Sequence, residues 1–204
     1  MNNENKKTTT KNTKSTKSTT KKTTKAKPQQ KTKKQLTMEL RKKQDEIIVE
    51  IYNISAMTCC YVNRMGIPYF TVEPNEYAEV TLEELYEVTS RTKGFFSDYS
   101  LIVTDVLSEE CSLDDVMVYL GLDKMYKDVD GLNSDFINEI LELDDSDFEY
   151  EIDKIKNRNK KLVQAIASKA IYMTKSEYED FEISRRKSKA LSEALGRERL
   201  IHED

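Results

Sequence analysis

Few residues in this 204-residue sequence are suited to catalysis, and none stands in a recognisable catalytic spacing. The only histidine, His202, lies near the end of the chain, where a segment is expected to fray. A Ser-His, Cys-His or His-metal arrangement inside a core is therefore not expected. The sequence contains no glycine-rich phosphate-binding motif and only five glycines. We predict a protein that is not an enzyme, with no catalytic residue, no cofactor and no small-molecule substrate.

One acidic stretch partly matches a calcium-binding loop. Asp128, Asp130 and Glu139 occupy positions 1, 3 and 12 of that pattern. Position 5 is Leu132 and position 6 is Asn133, where the loop needs an oxygen ligand and a glycine. The stretch is better explained as a loop between two helices, so no metal ligand is predicted.

The three cysteines show no pattern of a disulfide framework. Cys59 and Cys60 are adjacent, and Cys111 stands alone. Neighbouring residues on a strand point to opposite faces, so the adjacent pair cannot present two thiols to one side. No run approaches the ~20 apolar residues needed to span a bilayer, and no signal peptide is apparent. We expect a soluble protein of the cytoplasm with reduced cysteines and no membrane partner.

The first 44 residues differ in composition from the rest of the chain. They carry 15 basic and two acidic residues, a net charge of +13, and no aromatic residue. Residues 45–204 carry 18 basic and 35 acidic residues, a net charge of −17. A Lys/Thr-rich segment buries too little apolar surface to offset the entropy of ordering. We therefore predict a disordered tail over 1–44, in which Leu36, Met38 and Leu40 are the candidates for a short helix or docking segment.

Three roles remain open for this basic tail. Its lysines would contact polyanions through charge alone, with steep salt dependence and no reading of base sequence. The tail would equally serve as a solvated segment that keeps the protein soluble. It would also lie on the acidic body of its own or a neighbouring copy at low ionic strength. The candidate polyanion contacts are Lys6, Lys7, Lys11, Lys14, Lys17, Lys21, Lys22, Lys25, Lys27, Lys31, Lys33 and Lys34.

Residues 45–107 are predicted to form a small α+β module. Four runs of β-branched and aromatic residues alternate with turn residues, which favours a small antiparallel meander. The second of these turns is predicted at Met65-Gly66-Ile67-Pro68. Thr81 and Glu84 have the spacing of a capping box, so a helix is expected to follow and to pack on the sheet. A loop over 91–98 and a fifth strand over 99–103 come next. The four runs are 47–52, 58–62, 69–72 and 77–81.

Residues 108–204 are predicted to be helical. Ser112 and Asp115 form a variant of the capping box, and Gly121 is placed to end the helix that they begin. Ser134 is expected to cap the next helix. Helices this short are marginal alone, so we expect them to pack on each other or on a partner.

The strongest helical pattern lies near the end of the chain. Asp147 is expected to begin a helix. The acidic residues within 144–147 would accept hydrogen bonds from the free N–H groups at its start and interact favourably with the helix dipole. Apolar residues at i, i+3 and i+4 spacing then predict a helix over 161–173. A last helix is predicted over 177–195, ending at Gly196.

The body contains a succession of stretches that together carry a resemblance. The stretches are Phe95-Phe96 through Leu101-Ile102-Val103, Val118-Tyr119-Leu120-Gly121-Leu122 with Tyr126, Leu162 with Ala165-Ile166-Ala167-Ser168-Lys169-Ala170, Arg185-Arg186-Lys187 and Leu195-Gly196. In this order, after a Lys/Thr-rich start, they resemble a family of small virion structural proteins of tailed bacteriophages that infect low-GC Gram-positive bacteria. The resemblance covers roughly residues 46–196. It implies a non-enzymatic role in the phage particle and transfers no catalytic or binding residue.

Two functions are consistent with these features. The first is a structural component of a phage head, neck or tail that binds other virion proteins or copies of itself. Such a protein would be found in the virion and, during assembly, in the host cytoplasm. The second is a nucleic-acid-associated protein that binds polyanions through the lysines of its tail. The net charge of −17 on the body disfavours the second as the main role, because it repels DNA.

Overall fold

The computed structural model describes residues 32–127, 129, 131–175 and 181–197. These residues form five strands and eight helices, which confirms the α+β class. Most of the predicted tail, residues 1–31, lies outside the described residues. The strands are β1 (Ile48–Asn53), β2 (Cys59–Val62), β3 (Pro68–Val72), β4 (Tyr77–Thr81) and β5 (Leu101–Val106). The helices are α1 (Lys33–Lys42), α2 (Leu82–Arg91), α3 (Gly94–Ser97), α4 (Leu113–Leu120), α5 (Phe136–Glu142), α6 (Asp145–Lys156), α7 (Lys160–Lys175) and α8 (Arg185–Leu195).

Strand β1 is the centre of an antiparallel sheet in the order β4-β1-β5. Val49 of β1 pairs with Val80 on one side and with Val106 on the other. Strands β2 and β3 pair with each other as a separate antiparallel hairpin. The predicted meander is therefore wrong, because β1 pairs with β4 and β5 instead of β2. The physical reason is burial: β1 is apolar on both faces and fits a central position, whereas the hairpin exposes Cys60 and Thr71 on its outer face.

The two faces of this sheet are covered by different groups of helices. Val49 and Ile51 point into a first core that is shared with the hairpin and with α1 to α4. Tyr52 and Ile102 point into a second core that is shared with α5 to α8. Because successive residues of a strand alternate between faces, β1 and β5 contribute to both cores. The sheet is therefore the middle layer between two groups of helices.

Helix α4 belongs to the first core and not to a separate helical region. Its Val116, Tyr119 and Leu120 are buried together with residues of α1, α2 and β5. The Tyr119 hydroxyl also donates a 2.9 Å hydrogen bond to the side chain of Gln44. Helix α4 therefore packs with residues of the stretch 45–107, although the sequence assigned it to the helical region 108–204.

Helix α1 lies inside the segment that was predicted to be disordered. The Thr32 hydroxyl accepts from the backbone N–H of Gln35, and the Gln35 side chain accepts from the backbone N–H of Thr32 at 3.0 Å. Leu36 and Leu40, one turn apart, are buried in the first core. The prediction of disorder is therefore wrong for residues 33–42. A capped helix with two buried leucines is stabilised by packing rather than by its own propensity.

Replacing Leu40 by alanine is expected to lower the free energy of unfolding by about 2–5 kcal/mol, because the change leaves a cavity in the first core. Replacing Met38 by alanine, on the same helix, is expected to change the free energy of unfolding by less than about 0.5 kcal/mol, because Met38 is 64% exposed. Urea denaturation of both variants checks the pair. Equal, small effects would show that α1 does not dock on the body.

Two helix starts and one helix end follow from local sequence alone. The capping box of Thr81 with Glu84 begins α2, and that of Ser112 with Asp115 begins α4. Gly121 ends α4 with a φ of 69°, in the left-handed region that favours glycine. All three predictions are confirmed.

The starts of α5 and α6 differ from the predictions by one or two residues. The N-cap of α5 is Asp135 instead of Ser134, and its side chain makes no capping hydrogen bond. Helix α6 begins at Asp145 instead of Asp147, because the carboxylate of Asp144 accepts hydrogen bonds from two backbone N–H groups at 2.9 Å each. The acidic cluster therefore serves as a helix cap, as predicted.

The last two helices are confirmed with one correction. Helix α7 covers the predicted range 161–173 and extends to Lys175. Helix α8 begins at Arg185, where the Ser184 hydroxyl accepts a 3.1 Å hydrogen bond from the backbone N–H of Lys187. The predicted helix over 177–195 is wrong for residues 181–184, which are not helical. Residues 176–180 lie outside the described residues.

The passage from α2 to β5 also differs from the prediction. The expected loop contains the single-turn helix α3, whose Phe96 is fully buried. Tyr99 has a φ of 55°, which is incompatible with an extended strand, so β5 begins at Leu101. The Tyr99 hydroxyl donates to the backbone carbonyl of Met125 at 3.3 Å. Tyr99 therefore joins the sheet to the segment that follows α4.

Candidate interaction surface

The tip of the β2–β3 hairpin, residues 62–67, presents apolar side chains to solvent. Met65 is 80% exposed, Ile67 54% and Val62 47%. Arg64 is the only charged residue between 59 and 72. Polar residues are the usual choice at such a turn. The hairpin tip is thus an apolar, weakly basic projection on an acidic body.

The backbone of the hairpin tip is held by Asn63. Its side-chain oxygen accepts hydrogen bonds from the backbone N–H groups of Met65 at 2.9 Å and of Ile67 at 3.0 Å. The N–H of Asn63 donates to the Ile67 carbonyl at 2.9 Å, and that of Gly66 donates back to Asn63 at 3.1 Å. Gly66 supplies the left-handed conformation, with a φ of 79°. The turn is preorganised, so ordering it on binding costs little entropy.

The inner face of the hairpin attaches it to the first core. Tyr61 lies opposite Phe70, and the ring of Phe70 meets that of Phe95 edge to face at 5.9 Å between centroids. The Tyr69 hydroxyl donates to the carboxylate of Glu87 on α2, and this hydrogen bond raises the pKa of the tyrosine. The tip therefore projects from a hairpin whose aromatic side chains pack on the first core and on α2.

Asn53 secures the base of the hairpin. Its side chain is fully buried and donates to the carbonyls of Met57 and Val72 at 2.8 Å each. Its side-chain oxygen accepts from the backbone N–H of Ser55 at 2.9 Å and from the Ser55 hydroxyl at 2.7 Å. One residue at the end of β1 thus holds the last residue of β3 and the loop that leads into β2.

A buried lysine joins the sheet to α7. Lys169 is 2% exposed, and its ammonium group donates to the side-chain oxygen of Asn75 in the β3–β4 turn. The Tyr52 hydroxyl also donates to Asn75, at 3.4 Å. Burial lowers the pKa of Lys169 to about 8. A charge in this position costs stability, since it has lost most of its water and its hydrogen-bond acceptor is a neutral amide.

Two of the twelve lysines proposed to contact polyanions lie within the described residues. Lys33 and Lys34 lie in the first turn of α1, where both are exposed. The other ten lie outside the described residues. The structure therefore brings only two of the candidates together, on one helix.

The acidic loop that partly matches a calcium site falls mostly outside the described residues. Asp128 and Asp130 are not described, and neither is His202. Glu139 lies in the first turn of α5. Within the part of the chain that the structure describes, no group of three or more His, Cys, Asp or Glu side chains is placed to hold a metal ion.

The adjacent cysteines point to opposite sides of the hairpin, as predicted. Cys59 is buried against the first core, and Cys60 is exposed. Burial raises the pKa of the Cys59 thiol, which makes the thiolate, the reactive form, less accessible. Both are free cysteines, and neither is placed to form a disulfide with the other.

Comparison of the chain with protein-family models, with curated proteins and with solved structures finds no match. Over the described residues, none of the helices combines the length and the apolar character that crossing a membrane requires. The role of the hairpin tip therefore rests on its own geometry.

The stretch from Met65 to Pro68 was predicted as an ordinary turn and not as a surface. A signal was present, because Met65 and Ile67 flank the turn glycine at positions where polar residues are typical. Their exposure depended on how the hairpin packs, which the sequence did not show.

Proposed function

We propose that this chain is a non-enzymatic structural component of a tailed phage particle, an accessory protein of the head, neck or tail that acts through protein–protein contacts. The observation that carries the proposal is the hairpin tip, which is held rigid while its Met65 and Ile67 face solvent. The resemblance of residues 46–196 to small virion proteins supports the phage context. The chain would act in the virion and pass through the host cytoplasm during assembly.

The energetics of the hairpin tip favour a protein partner. Fully burying one aliphatic side chain of this size contributes about 1.5–3 kcal/mol. Val62, Met65 and Ile67 are 47–80% exposed, so each contributes part of that value, and together they would form the apolar centre of an interface, where a few buried residues supply most of the affinity. A small-molecule role would instead call for a concave pocket with converging polar groups, and the hairpin tip is convex.

Replacing Met65 by aspartate is expected to reduce the number of copies per purified particle at least tenfold, or by about 1.4 kcal/mol or more of binding free energy. The side chain is 80% exposed, so folding should not change. Quantitative mass spectrometry of particles from an infection with each variant provides the measurement. The matched control is Tyr150→Asp, which changes a 71% exposed apolar residue on α6.

Equal incorporation of the Met65 and Tyr150 variants would contradict a role for the hairpin tip. Absence of the wild-type chain from purified particles would contradict the proposed function itself.

The second candidate is a nucleic-acid-associated protein that uses the lysines of its tail. The observation in its favour is charge: residues 1–44 carry a net +13, and Lys33 and Lys34 extend that charge as exposed residues onto α1. Such binding would weaken steeply with salt, because it depends on counterion release.

A further inference from the structure

A group of cations lies at the turn between α6 and α7, on a body whose net charge is negative. Residues 154–161 contain five basic residues and no carboxylate, whereas residues 45–204 as a whole carry 18 basic and 35 acidic residues. We call this stretch the basic turn. All of its cations are exposed, and they are Lys154, Lys156, Arg158, Lys160 and Lys161.

Hydrogen bonds hold the backbone of the basic turn. The backbone N–H groups of Arg158 and Asn159 donate to the carbonyl of Ile155 at 2.9 and 2.7 Å. The side-chain oxygen of Asn159 accepts from the backbone N–H of Leu162 at 3.1 Å, and its amide group donates to the Tyr99 hydroxyl. The cations therefore project from a backbone that is fixed to α7 and to the end of α3.

Favourable interaction with a helix dipole accounts for two of the five cations. Lys154 and Lys156 lie in the last turn of α6, where a positive charge is stabilising. The reverse holds for Lys160 and Lys161, because the first turn of a helix favours acidic residues and that of α7 has none. Cations in this position cost stability, and residues that break a local rule are expected at functional sites.

The cations of the basic turn are accessible to an anionic ligand. Among the described residues, neither Arg158 nor Lys160 takes part in an ion pair. The other three form surface ion pairs, which contribute little stability and therefore compete weakly with a phosphate group. These pairs are Lys154 with Glu151, Lys156 with Asp153, and Lys161 with Asp98.

The composition of the basic turn favours phosphate groups over a protein surface as its ligand. Its one apolar side chain, Ile155, is 8% exposed and belongs to the second core. The centre of a protein–protein interface is apolar and depleted of lysine, whereas contacts to nucleic-acid phosphates come largely from Lys, Arg and Asn side chains. The acidic charges elsewhere on the body are screened beyond roughly 8 Å at physiological salt.

We infer that the basic turn binds the phosphate backbone of a nucleic acid. The contact depends on charge and does not read base sequence. It lies on the folded body, apart from the lysines of the tail and from the hairpin tip. The acidic charge on the rest of the body repels nucleic acid and so confines the contact to this turn.

The test compares two double variants of the full-length chain that lower the net charge equally. Arg158→Gln with Lys160→Gln removes two cations of the basic turn. The control, Lys175→Gln with Arg185→Gln, removes two exposed cations elsewhere, at the far end of α7 and at the start of α8. All four positions are exposed, so both variants are expected to fold, and thermal melting checks this.

Fluorescence anisotropy measures binding to labelled duplexes of DNA and of RNA of one length, between about 50 and about 200 mM salt. Each phosphate contact to B-DNA contributes about 0.9 to the slope of log K against log salt, because it releases counterions. We expect the slope of the basic-turn variant to fall by about 2 and its affinity at about 50 mM salt to fall at least tenfold. The control variant is expected to stay close to wild type. Binding to one duplex alone would identify that nucleic acid as the partner.

Three outcomes overturn the inference. The first is an equal effect of the two double variants, which assigns binding to the tail or to net charge. The second is a wild-type chain that binds neither duplex at about 50 mM salt. The third is displacement of the duplex by poly-glutamate as readily as by unlabelled DNA of equal charge concentration, which assigns the basic turn to an acidic protein. Both variants leave the hairpin tip unchanged, so none of these results bears on the proposed function.

Discussion

Replacing Asn53 by alanine is expected to lower the free energy of unfolding by about 3–4 kcal/mol. The side chain is fully buried and makes four hydrogen bonds, two to the carbonyls of Met57 and Val72 and two from Ser55. A typical hydrogen bond contributes about 1 kcal/mol net, and a buried partner left unpaired costs a further 1–3 kcal/mol. Urea denaturation at neutral pH measures the loss.

The control for this prediction is Asn157→Ala, because Asn157 is exposed and makes one hydrogen bond from its side chain to the Asp153 carbonyl. Its replacement is expected to cost less than about 1 kcal/mol. If the two asparagine variants lose similar stability, Asn53 is not the anchor of the hairpin. Asn53 orients the hairpin, so Asn53→Ala is also expected to weaken binding of partners through the tip. This loss of binding should exceed the loss that follows from the smaller folded fraction alone.

Replacing Lys169 by methionine is expected to change how stability depends on pH. Burial lowers the pKa of Lys169 from 10.5 to about 8 in the folded protein. Between these two values the unfolded chain keeps a proton that the folded chain has released. The stability of the wild type therefore rises with pH through this window, while the variant lacks this contribution.

The difference in unfolding free energy, wild type minus variant, is expected to rise by about 2 kcal/mol between pH 7 and pH 9.5. Measurements end near pH 9.5 because of Tyr126, whose pKa is raised by burial. Above about pH 10 this tyrosine ionises in the unfolded chain but stays protonated in the folded one, so its contribution to the unfolding free energy is lost as the pH rises. Lys175→Met, an exposed lysine on the same helix, controls for the loss of one charge. A difference that stays constant with pH would show that Lys169 is not held in a desolvated site.

The parts of this fold that depend on neighbouring residues could be predicted from the sequence. The capping boxes at Thr81 and Ser112, the glycine end at Gly121 and the apolar spacing of α7 all follow from contacts within about four positions. Each of these signals is complete within its own stretch of chain. The tertiary packing of these helices agrees with their local sequence signals.

Strand pairing could not be predicted in the same way. Strand β1 has apolar residues on both faces, which indicates a central strand but does not select its neighbours. The choice of β4 and β5 depends on two cores that form from opposite ends of the chain. The bounds of helix α1 could not be predicted for a related reason. Leu36, Met38 and Leu40 indicated a short helix or docking segment, but Leu36 and Leu40 are stabilised by the core on which they dock.

The candidate surface shows the same limit. The turn at Gly66 was predicted, and its apolar flanks are visible in the sequence. Whether Met65 and Ile67 would be buried or exposed depended on the packing of the hairpin against α2 and α3, which links residues far apart in the chain. Local patterns therefore located the turn, and only the structure showed it to be a projecting apolar surface.

The body, through its hairpin tip, is proposed to bring the protein into the particle. The most direct test compares copies per particle for the wild type, for Met65→Asp and for a deletion of residues 2–31. The deletion stops before Thr32, which caps α1, so the docked helix is preserved. We predict wild-type copy number for the deletion and at least tenfold fewer copies for Met65→Asp. Loss of the deleted protein from particles, with Met65→Asp incorporated normally, would contradict the account and place the function in the basic tail.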